Sequence, residues 1–310
     1  MPADSAGGRR GSGAPLLAAA GVLWGGAGAA GRMLAQAGQL SSWQVATGRA
    51  LLGGCILVLA GWLLRRPWLS GRRAWRHVGL MALLTIAYQA CYFAAVAAGS
   101  LSLATLVTLG SAPVFVTVVH AVQHRRLTRG AVGVLALALT GLGLLVGRPD
   151  AGASAPTVVV LAVGAGAAFA AMTMANAGGV PGADHITGTG VAFVLAGLSL
   201  AVVTTLLPGP ALHLTPAVVG WLAVLGIACT AAPYALYFGG LLTTAAPVAA
   251  VFALLEPLTG TLIAITVFGE TLGVLGWIGA ALLLAAVVVS ALMPAEGHRP
   301  RLTPSSTPSQ

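Results

Sequence analysis

The sequence predicts an all-α integral membrane protein with ten transmembrane helices arranged as two inverted five-helix repeats. Three observations predict this class: the composition, the recurrence of long apolar runs, and an internal repeat. Of the 310 residues, 58% are hydrophobic and only 7% are charged, whereas a soluble globular domain carries about 25% charged residues. So few charged side chains cannot cover a water-facing surface, which makes the lipid bilayer the first expected partner.

The apolar runs recur along almost the whole chain, and each is long enough to cross a membrane. A transmembrane helix needs about 20 mostly apolar residues. Arginine clusters, Pro/Gly pairs and short polar bridges divide the chain into predicted spans at residues 14–36, 43–64, 77–98, 101–122, 130–147, 156–176, 187–207, 216–238, 243–268 and 273–293. The paired arginines before the first run also resemble a secretory or twin-arginine signal. We favour a transmembrane helix there, because many further spans follow.

The loop arginines predict the orientation, because cytoplasmic loops carry an excess of basic residues. One predicted side has only Arg148. The other side has Arg9, Arg10, Arg65, Arg66, Arg72, Arg73, Arg76, Arg125, Arg126, Arg129, Arg299 and Arg301. Both termini are therefore expected in the cytoplasm, and the protein in the inner or plasma membrane. The net charge of +9 does not predict nucleic-acid binding, because the arginines fall between apolar spans and not on one soluble face.

An internal repeat relates the two halves at an offset near 145 residues. At that offset Tyr92–Phe93 aligns with Tyr237–Phe238, and Ala112–Pro113 aligns with Glu256–Pro257. Because each half has five spans, the second copy enters the membrane from the opposite side. Inverted repeats place a binding site near the midplane between the halves, so the repeat favours a transporter.

The repeat also sets the predicted domain boundaries. Residues 14–148 form the first five-helix repeat and residues 156–293 form the second. Residues 1–13 are expected to be a cytoplasmic N-terminal tail. Residues 294–310 are expected to be a disordered cytoplasmic tail, because they are rich in proline and serine.

Several motifs resemble those of the EamA-domain branch of the drug/metabolite transporter superfamily. They are Glu256–Pro257 in the ninth span, Gly269–Glu270 before the last span, and Trp43 followed by Arg49-Ala-Leu-Leu in the second. The resemblance covers residues 14–293 and implies a ten-span inner-membrane carrier that exports amino acids, other metabolites or drugs. One departure is His124-Arg125-Arg126, where the family often has Gly-Glu-Arg.

Glu256 is the first candidate for a functional residue, because a charge at mid-bilayer costs about 2.5–3.5 kcal/mol. It lies about 13 residues from either end of the predicted ninth span, too deep for its side chain to reach an interface. The prolines predict helix breaks at Pro113, Pro247 and Pro257. Glu256 either binds a cationic group or a coupling proton in a central cavity, or is a structural carboxylate paired with an arginine or a hydroxyl.

The other binding candidates are a second charge within a span and the aromatic residues of the two halves. Arg49 lies about six residues inside the predicted second span and either snorkels outward, binds a carboxylate or phosphate, or pairs with Glu256. All 4 tyrosines fall in the predicted third and eighth spans; they either line a cavity or pack between helices. The complete set of candidates is Glu256, Arg49, Tyr88, Tyr92, Tyr234, Tyr237, Trp24 and Gln89.

The motifs of enzymes are missing from the sequence. It has no nucleotide-binding fingerprint, no HExxH sequence and no Ser-His-Asp constellation. The 3 cysteines lie within apolar runs without metal-ligand spacing. We therefore expect no catalytic residue, no cofactor and no metal site.

These observations together predict a secondary-active carrier of small organic solutes that works by alternating access, with export as the preferred direction. An importer or facilitator of the same fold is one alternative. A non-transporting membrane assembly partner or sensor is another, and it predicts no cavity between the halves. A coupling proton and a homodimer are the further expected partners.

Overall fold

A computed structural model describes residues 13–147, 154–206 and 213–293. It contains 10 helices long and apolar enough to cross a membrane, which confirms the predicted fold class. We number them in chain order as spans 1 to 10: Ala14–Gly38, Ser42–Leu63, Gly71–Ala98, Leu101–His124, Arg129–Val146, Ala155–Asn176, His185–Leu206, Pro216–Gly240, Ala246–Phe268 and Val274–Leu292. The predicted terminal tails and Arg148 lie outside the described residues.

The few hydroxyl residues between the apolar runs begin several of these helices. The Ser41 side chain accepts a hydrogen bond from the backbone N–H of Gln44, whose side chain accepts one in return from Ser41 N–H, so a capping box begins span 2. The side-chain hydroxyls of Ser100, Thr128 and Thr215 each accept a hydrogen bond from the backbone N–H three residues later and so cap spans 4, 5 and 8. Since the first N–H groups of a helix have no intrahelical acceptor, these caps fix where each span begins.

Span 9 is interrupted at its middle, just before Glu256. It consists of the helices Ala246–Phe252 and Leu255–Phe268. Pro257 has no N–H to donate to the carbonyl of Ala253, so a regular helix loses a hydrogen bond at this point. The N–H of Glu256 donates to that carbonyl at 3.0 Å instead.

The other two predicted helix breaks are absent, which corrects the sequence prediction. Span 4 continues as one helix from Leu101 to His124, with Pro113 buried inside it. Pro247 lies in the first turn of its helix, where the missing N–H has no acceptor to lose. A proline alone therefore does not fix where these helices are interrupted.

Two further irregularities lie where the sequence predicted none. Span 1 is divided into Ala14–Gly25 and Ala27–Gly38, which meet at Gly26. Span 8 contains a π-helical turn at Ile227–Ala231. Such turns insert a residue into an α-helix and often occur at functional sites.

The two halves exchange their first helices. Span 1 packs against spans 8 and 9 of the second half, and span 6 packs against spans 3 and 4 of the first half. Spans 2 and 7 pack against each other, as do spans 5 and 10. The repeats are therefore interlocked, with the seam between them at the centre of the molecule.

Glycines allow the exchanged helices to approach closely, and they do so at equivalent positions. A Cβ atom on Gly21 of span 1 would lie 2.5 Å from the carbonyl oxygen of Phe252 in span 9. A Cβ atom on Gly166 of span 6 would lie 2.8 Å from the carbonyl oxygen of Thr108 in span 4. These contacts are related by the same offset as the sequence repeat, so the symmetry extends to the backbone packing.

The exterior of the helix bundle is apolar. Leu206, Val274 and Leu292 are 79%, 77% and 78% exposed, and side chains of this kind would be unfavourable in water. The surrounding solvent must therefore be lipid, which makes the chain a multi-pass membrane protein. The exposed loop arginines lie at one end of the bundle, which we call the arginine-rich end: Arg65, Arg66, Arg72, Arg73, Arg76, Arg125, Arg126 and Arg129.

Candidate functional site

A cavity of about 440 Å³ lies at the seam between the halves, which we call the central cavity. Side chains from both repeats line it, including those of spans 1, 3 and 4 and of spans 8 and 9. Most of the residues proposed from the sequence are among them: Trp24, Arg49, Tyr88, Tyr92, Pro113, Tyr234, Glu256 and Pro257. The structure thus brings together side chains that are far apart in the chain.

Glu256 lies in the first turn of the second helix of span 9, directly after the interruption. Span 1 crosses the backbone here, because Gly25 has no side chain: a Cβ there would come within 2.9 Å of the Glu256 carbonyl oxygen. The crossing places Glu256 where the two halves meet. A carboxylate in the first turn of a helix is also favoured by the helix dipole.

Arg49 projects into the same cavity from span 2. Its Nε atom is buried and has no hydrogen-bond partner. In the part of the chain that the structure describes, no ion pair within 4.0 Å joins Arg49 to Glu256. Among the described residues, the cavity therefore contains a guanidinium group and a carboxylate that are not joined in a close ion pair.

Aromatic rings close the cavity on the side of the arginine-rich end. The Trp24 ring lies 5.9 Å from that of Phe169 and 5.1 Å from those of Tyr234 and Tyr237. The Tyr237 hydroxyl also pairs with the hydroxyl of Thr173 at 3.1 Å. We call Trp24, Phe169, Tyr234 and Tyr237 the aromatic barrier. Edge-on ring pairs at these separations are favourable, so the barrier is a packed layer.

A second pair of tyrosines forms the wall of the cavity in span 3. The rings of Tyr88 and Tyr92 are stacked with their centroids 6.1 Å apart. The Tyr92 hydroxyl pairs with that of Thr105 at 3.0 Å, whereas no described residue forms a hydrogen bond with the hydroxyl of Tyr88. This wall presents aromatic faces together with a hydroxyl that remains available to a ligand.

The mouth of the cavity faces the end opposite the arginine-rich end. The lining residues on that side, Arg32, Ser42 and Leu101, are exposed, whereas Trp24 at the barrier is 5% exposed. Arg32 lies over the ring of Phe268, with its guanidinium carbon 5.3 Å from the ring centroid. The cavity is therefore open at one end of the molecule and closed at the other.

Two of the binding candidates proposed from the sequence do not line the central cavity. Tyr237 is fully buried within the aromatic barrier. Gln89 is 2% exposed, and its side-chain oxygen is buried without a hydrogen-bond partner. Both lie among packed helices, so they belong to the support of the cavity and not to its surface.

Sequence reasoning also missed several residues of the cavity wall. Phe93, Thr105 and Thr108 line the cavity and were not proposed. Phe93 belongs to the Tyr-Phe pair that the repeat contains twice. Thr105 and Thr108 are three residues apart and so share a helix face in an otherwise apolar span, a pattern that could have revealed them.

The described residues contain no cluster of three or more His, Cys, Asp or Glu side chains that could hold a metal ion. The cysteines Cys55, Cys91 and Cys229 are free. The groups that line the central cavity include a carboxylate, guanidinium groups, hydroxyls and aromatic faces.

Both halves of the helix bundle match a known protein family. The EamA-like transporter family matches the chain twice, at residues 11–147 and 156–292. The chain belongs to this family. The two matches correspond to the two halves of the helix bundle, and they make the chain a membrane transporter of small solutes.

Known relatives agree with this assignment. YwfM of Bacillus subtilis (strain 168), named as an uncharacterized transporter, is 30% identical over 247 residues, which are 79% of this chain and 83% of the relative. A protein of known crystal structure matches with a TM-score of 0.76 at 18% identity, over 90% of this chain and 97% of the other. That similarity shows that the fold has been observed before.

Proposed function

We propose that this chain is a secondary-active carrier that exports small organic solutes bearing both an ammonium and a carboxylate group. The observation that supports this class of substrate is that Glu256 and Arg49 line one cavity without a close ion pair between them. A charge at mid-bilayer costs about 2.5–3.5 kcal/mol. A ligand with complementary charges would satisfy both groups.

Each charged group suits one end of such a solute. The Arg49 guanidinium can bind a carboxylate through two parallel hydrogen bonds, and Glu256 can accept hydrogen bonds from an ammonium group. The aromatic faces of Tyr88, Tyr92 and Tyr234 can contact an apolar side chain and also favour a nearby cation. Metabolites of amino-acid type combine these features.

Alternating access is the proposed mechanism. The aromatic barrier closes one side of the central cavity while the other side is open. Because the halves are inverted repeats, a rocking motion of one half against the other would exchange the open and closed sides. The interruption of span 9 lies beside Glu256, and its residues Ala253 and Leu254 line the same cavity.

The loop arginines support an orientation of the chain that is compatible with export. Placing the arginine-rich end in the cytoplasm gives a cavity that opens to the outside and a barrier that faces the cytoplasm. An exporter releases its solute from this state. Protonation of Glu256 from the outside would weaken its hold on an ammonium group, so we propose a proton as the coupling ion. The homodimer stays a prediction.

The test is metabolite profiling of cells that produce the parent chain, Glu256→Gln or Glu270→Gln at matched membrane abundance. Glu270 is an exposed carboxylate outside the cavity, which makes it the matched control. We expect a few zwitterionic solutes to move into the medium with the parent and with Glu270→Gln, but not with Glu256→Gln. Equal export with Glu256→Gln would mean that this carboxylate is structural.

Other results would favour the alternatives. Accumulation of the same solutes inside the cells would indicate an importer, and movement only down the solute gradient would indicate a facilitator. Unchanged pools with every variant would contradict the transport proposal and favour an assembly partner or sensor. In that case Glu256→Gln should also leave the biological role of the chain intact.

A further inference from the structure

A second cavity lies at the arginine-rich end, on the other side of the aromatic barrier, and we call it the inner pocket. Its volume is about 360 Å³. The polar residues that line it come from spans 3, 6 and 7 and from the residue just before span 7: His77, Asn176, Asp184, His185 and Thr189. No role for these residues follows from the sequence motifs or from the family.

One wall of the inner pocket is the beginning of span 7. The Asp184 Oδ1 atom accepts hydrogen bonds from the backbone N–H groups of Ile186 and Thr187, at 3.0 and 3.2 Å. Its other oxygen, Oδ2, lies 3.7 Å from His185 Nδ1. One oxygen of Asp184 is therefore fixed by the helix, and the other has only a long contact.

The opposite wall contains a polar pair that joins span 3 to span 6. His77 Nε2 lies 3.3 Å from Asn176 Oδ1. The amide nitrogen of Asn176 donates to the carbonyl of Met172 at 2.9 Å, so its oxygen is the acceptor and His77 is the donor. This bonding leaves the Nδ1 atom of His77 for another partner.

Both walls continue directly into the aromatic barrier. Thr173, which pairs with Tyr237 of the barrier, lies three residues before Asn176 in span 6. On the other wall, a Cβ atom on Gly239 would lie 3.3 Å from His185 Nε2, and Gly239 follows Tyr237 by two residues. The central cavity and the inner pocket are thus separated by a single aromatic layer.

We propose that the inner pocket is a second binding site for the same zwitterionic solute, occupied from the arginine-rich side before the aromatic barrier opens. Its chemistry parallels that of the central cavity. Asp184 Oδ2 can accept from an ammonium group. The Thr189 hydroxyl can donate to a carboxylate, and His77 Nδ1 can do so when that imidazole is protonated. The choice of solute rests on the proposed function, whereas the existence of the site rests on the pocket itself.

The test measures occupancy of the pocket without relying on transport. Ala183 lines the pocket beside Asp184 and is half-buried. Ala183→Cys would be the reporter, in a full-length chain whose three native cysteines are replaced by alanine. A small membrane-impermeant thiosulfonate would be added to inverted vesicles, with leucine, phenylalanine or glutamine as the probe. Ala177→Cys, on the same loop but outside the pocket, is the control.

We expect at least one of the three amino acids to slow the modification of Cys at 183 about ten-fold at ten times its Kd, with no effect at 177. Asp184→Asn should abolish the protection, because asparagine keeps the helix cap but not the charge. Protection should persist with Glu256→Gln. No protection by any probe, or its loss with Glu256→Gln but not with Asp184→Asn, would overturn the proposal.

Together the two experiments distinguish failure of the proposed function from failure of the second binding site. Protection without any export would contradict the proposed function and leave the inner pocket as a binding site. Export that depends on Glu256, but without protection at position 183, would support the carrier and contradict the second site.

Discussion

Spans 4 and 9 occupy equivalent positions in the two halves, yet they differ where they meet the central cavity. Span 4 has Ala112–Pro113 in one continuous helix, whereas span 9 has Glu256–Pro257 directly after an interruption. Both are crossed by an exchanged helix at a glycine. The backbone packing is thus symmetric, while the carboxylate and the interruption occur in span 9 and not in span 4.

The difference shows how an inverted repeat can provide both motion and selectivity. Symmetric packing makes the two open states similar in energy, as alternating access requires. A binding site that holds a solute in one orientation requires asymmetry, since the chemical groups on its two sides must differ. Paired substitutions in spans 4 and 9, or in the helices that cross them, test this difference.

The largest expected effect comes from giving span 4 the charge of span 9. Ala112 is 4% exposed and lies in a continuous helix, so Ala112→Glu should lower stability by up to about 2.5–3.5 kcal/mol. The measurement is thermal unfolding in detergent, with Ala112→Gln as the uncharged control of similar size. Equal melting temperatures for the two variants would show that span 4 tolerates a charge as span 9 does.

Moving the carboxylate from span 9 to span 4 should not preserve transport. Charge-assisted hydrogen bonds contribute about 1.5–3 kcal/mol, so Glu256→Ala should lower transport efficiency about ten- to a hundredfold. The double variant Glu256→Ala/Ala112→Glu should be equally impaired, because span 4 has no interruption beside its new carboxylate. Initial rates in proteoliposomes measure this effect. Recovery in the double variant would contradict the asymmetry.

Changes at the symmetric contacts should have equal effects. Gly21→Ala and Gly166→Ala each place a methyl group against backbone that cannot move freely, which should cost about 1–3 kcal/mol. Gly133 is the control, since a Cβ there would have no neighbour within 4 Å. Melting temperatures that fall for only one of the two variants would break the packing symmetry.

The smallest expected effect concerns the prolines. Pro257→Ala restores an N–H beside the interruption and should slow turnover a few-fold by favouring a closed helix. Pro113→Ala changes a helix that is already continuous, so it should leave turnover nearly unchanged. Stopped-flow measurement of solute release at saturating concentration compares the two. Equal slowing would mean that both prolines act through packing.

Much of this arrangement could be predicted from the sequence, because its strongest constraints are local. A run of about 20 apolar residues has one stable state in lipid, so the ten spans follow from hydropathy. Glu256 stands out because it is a lone carboxylate in such a run. Its neighbour Pro257 predicts the nearby interruption, since the missing N–H acts within one turn, but Pro113 and Pro247, which predict breaks for the same reason, interrupt no helix.

The other features of the fold and of the candidate site depend on contacts between helices, which the spacing of residues in the sequence does not reveal. With 43 glycines in the chain, nothing marks Gly26 as the one that interrupts span 1. Tyr88 and Tyr92 stack on the cavity wall, whereas of the equivalent pair only Tyr234 also lines the cavity and Tyr237 is buried behind it. In the sequence Asp184 resembles an ordinary loop residue. Only the fold places it in one pocket with His77.

The exchange of spans 1 and 6 has a consequence for how the protein is made. Span 1 leaves the ribosome well before its partners in spans 8 and 9 are synthesised. The early helices must therefore remain in the bilayer with an unfinished interface, and the cavity forms only when synthesis is almost complete. Two half-chains produced together, divided near residue 153, should for the same reason assemble into a working transporter, whereas neither half should do so alone.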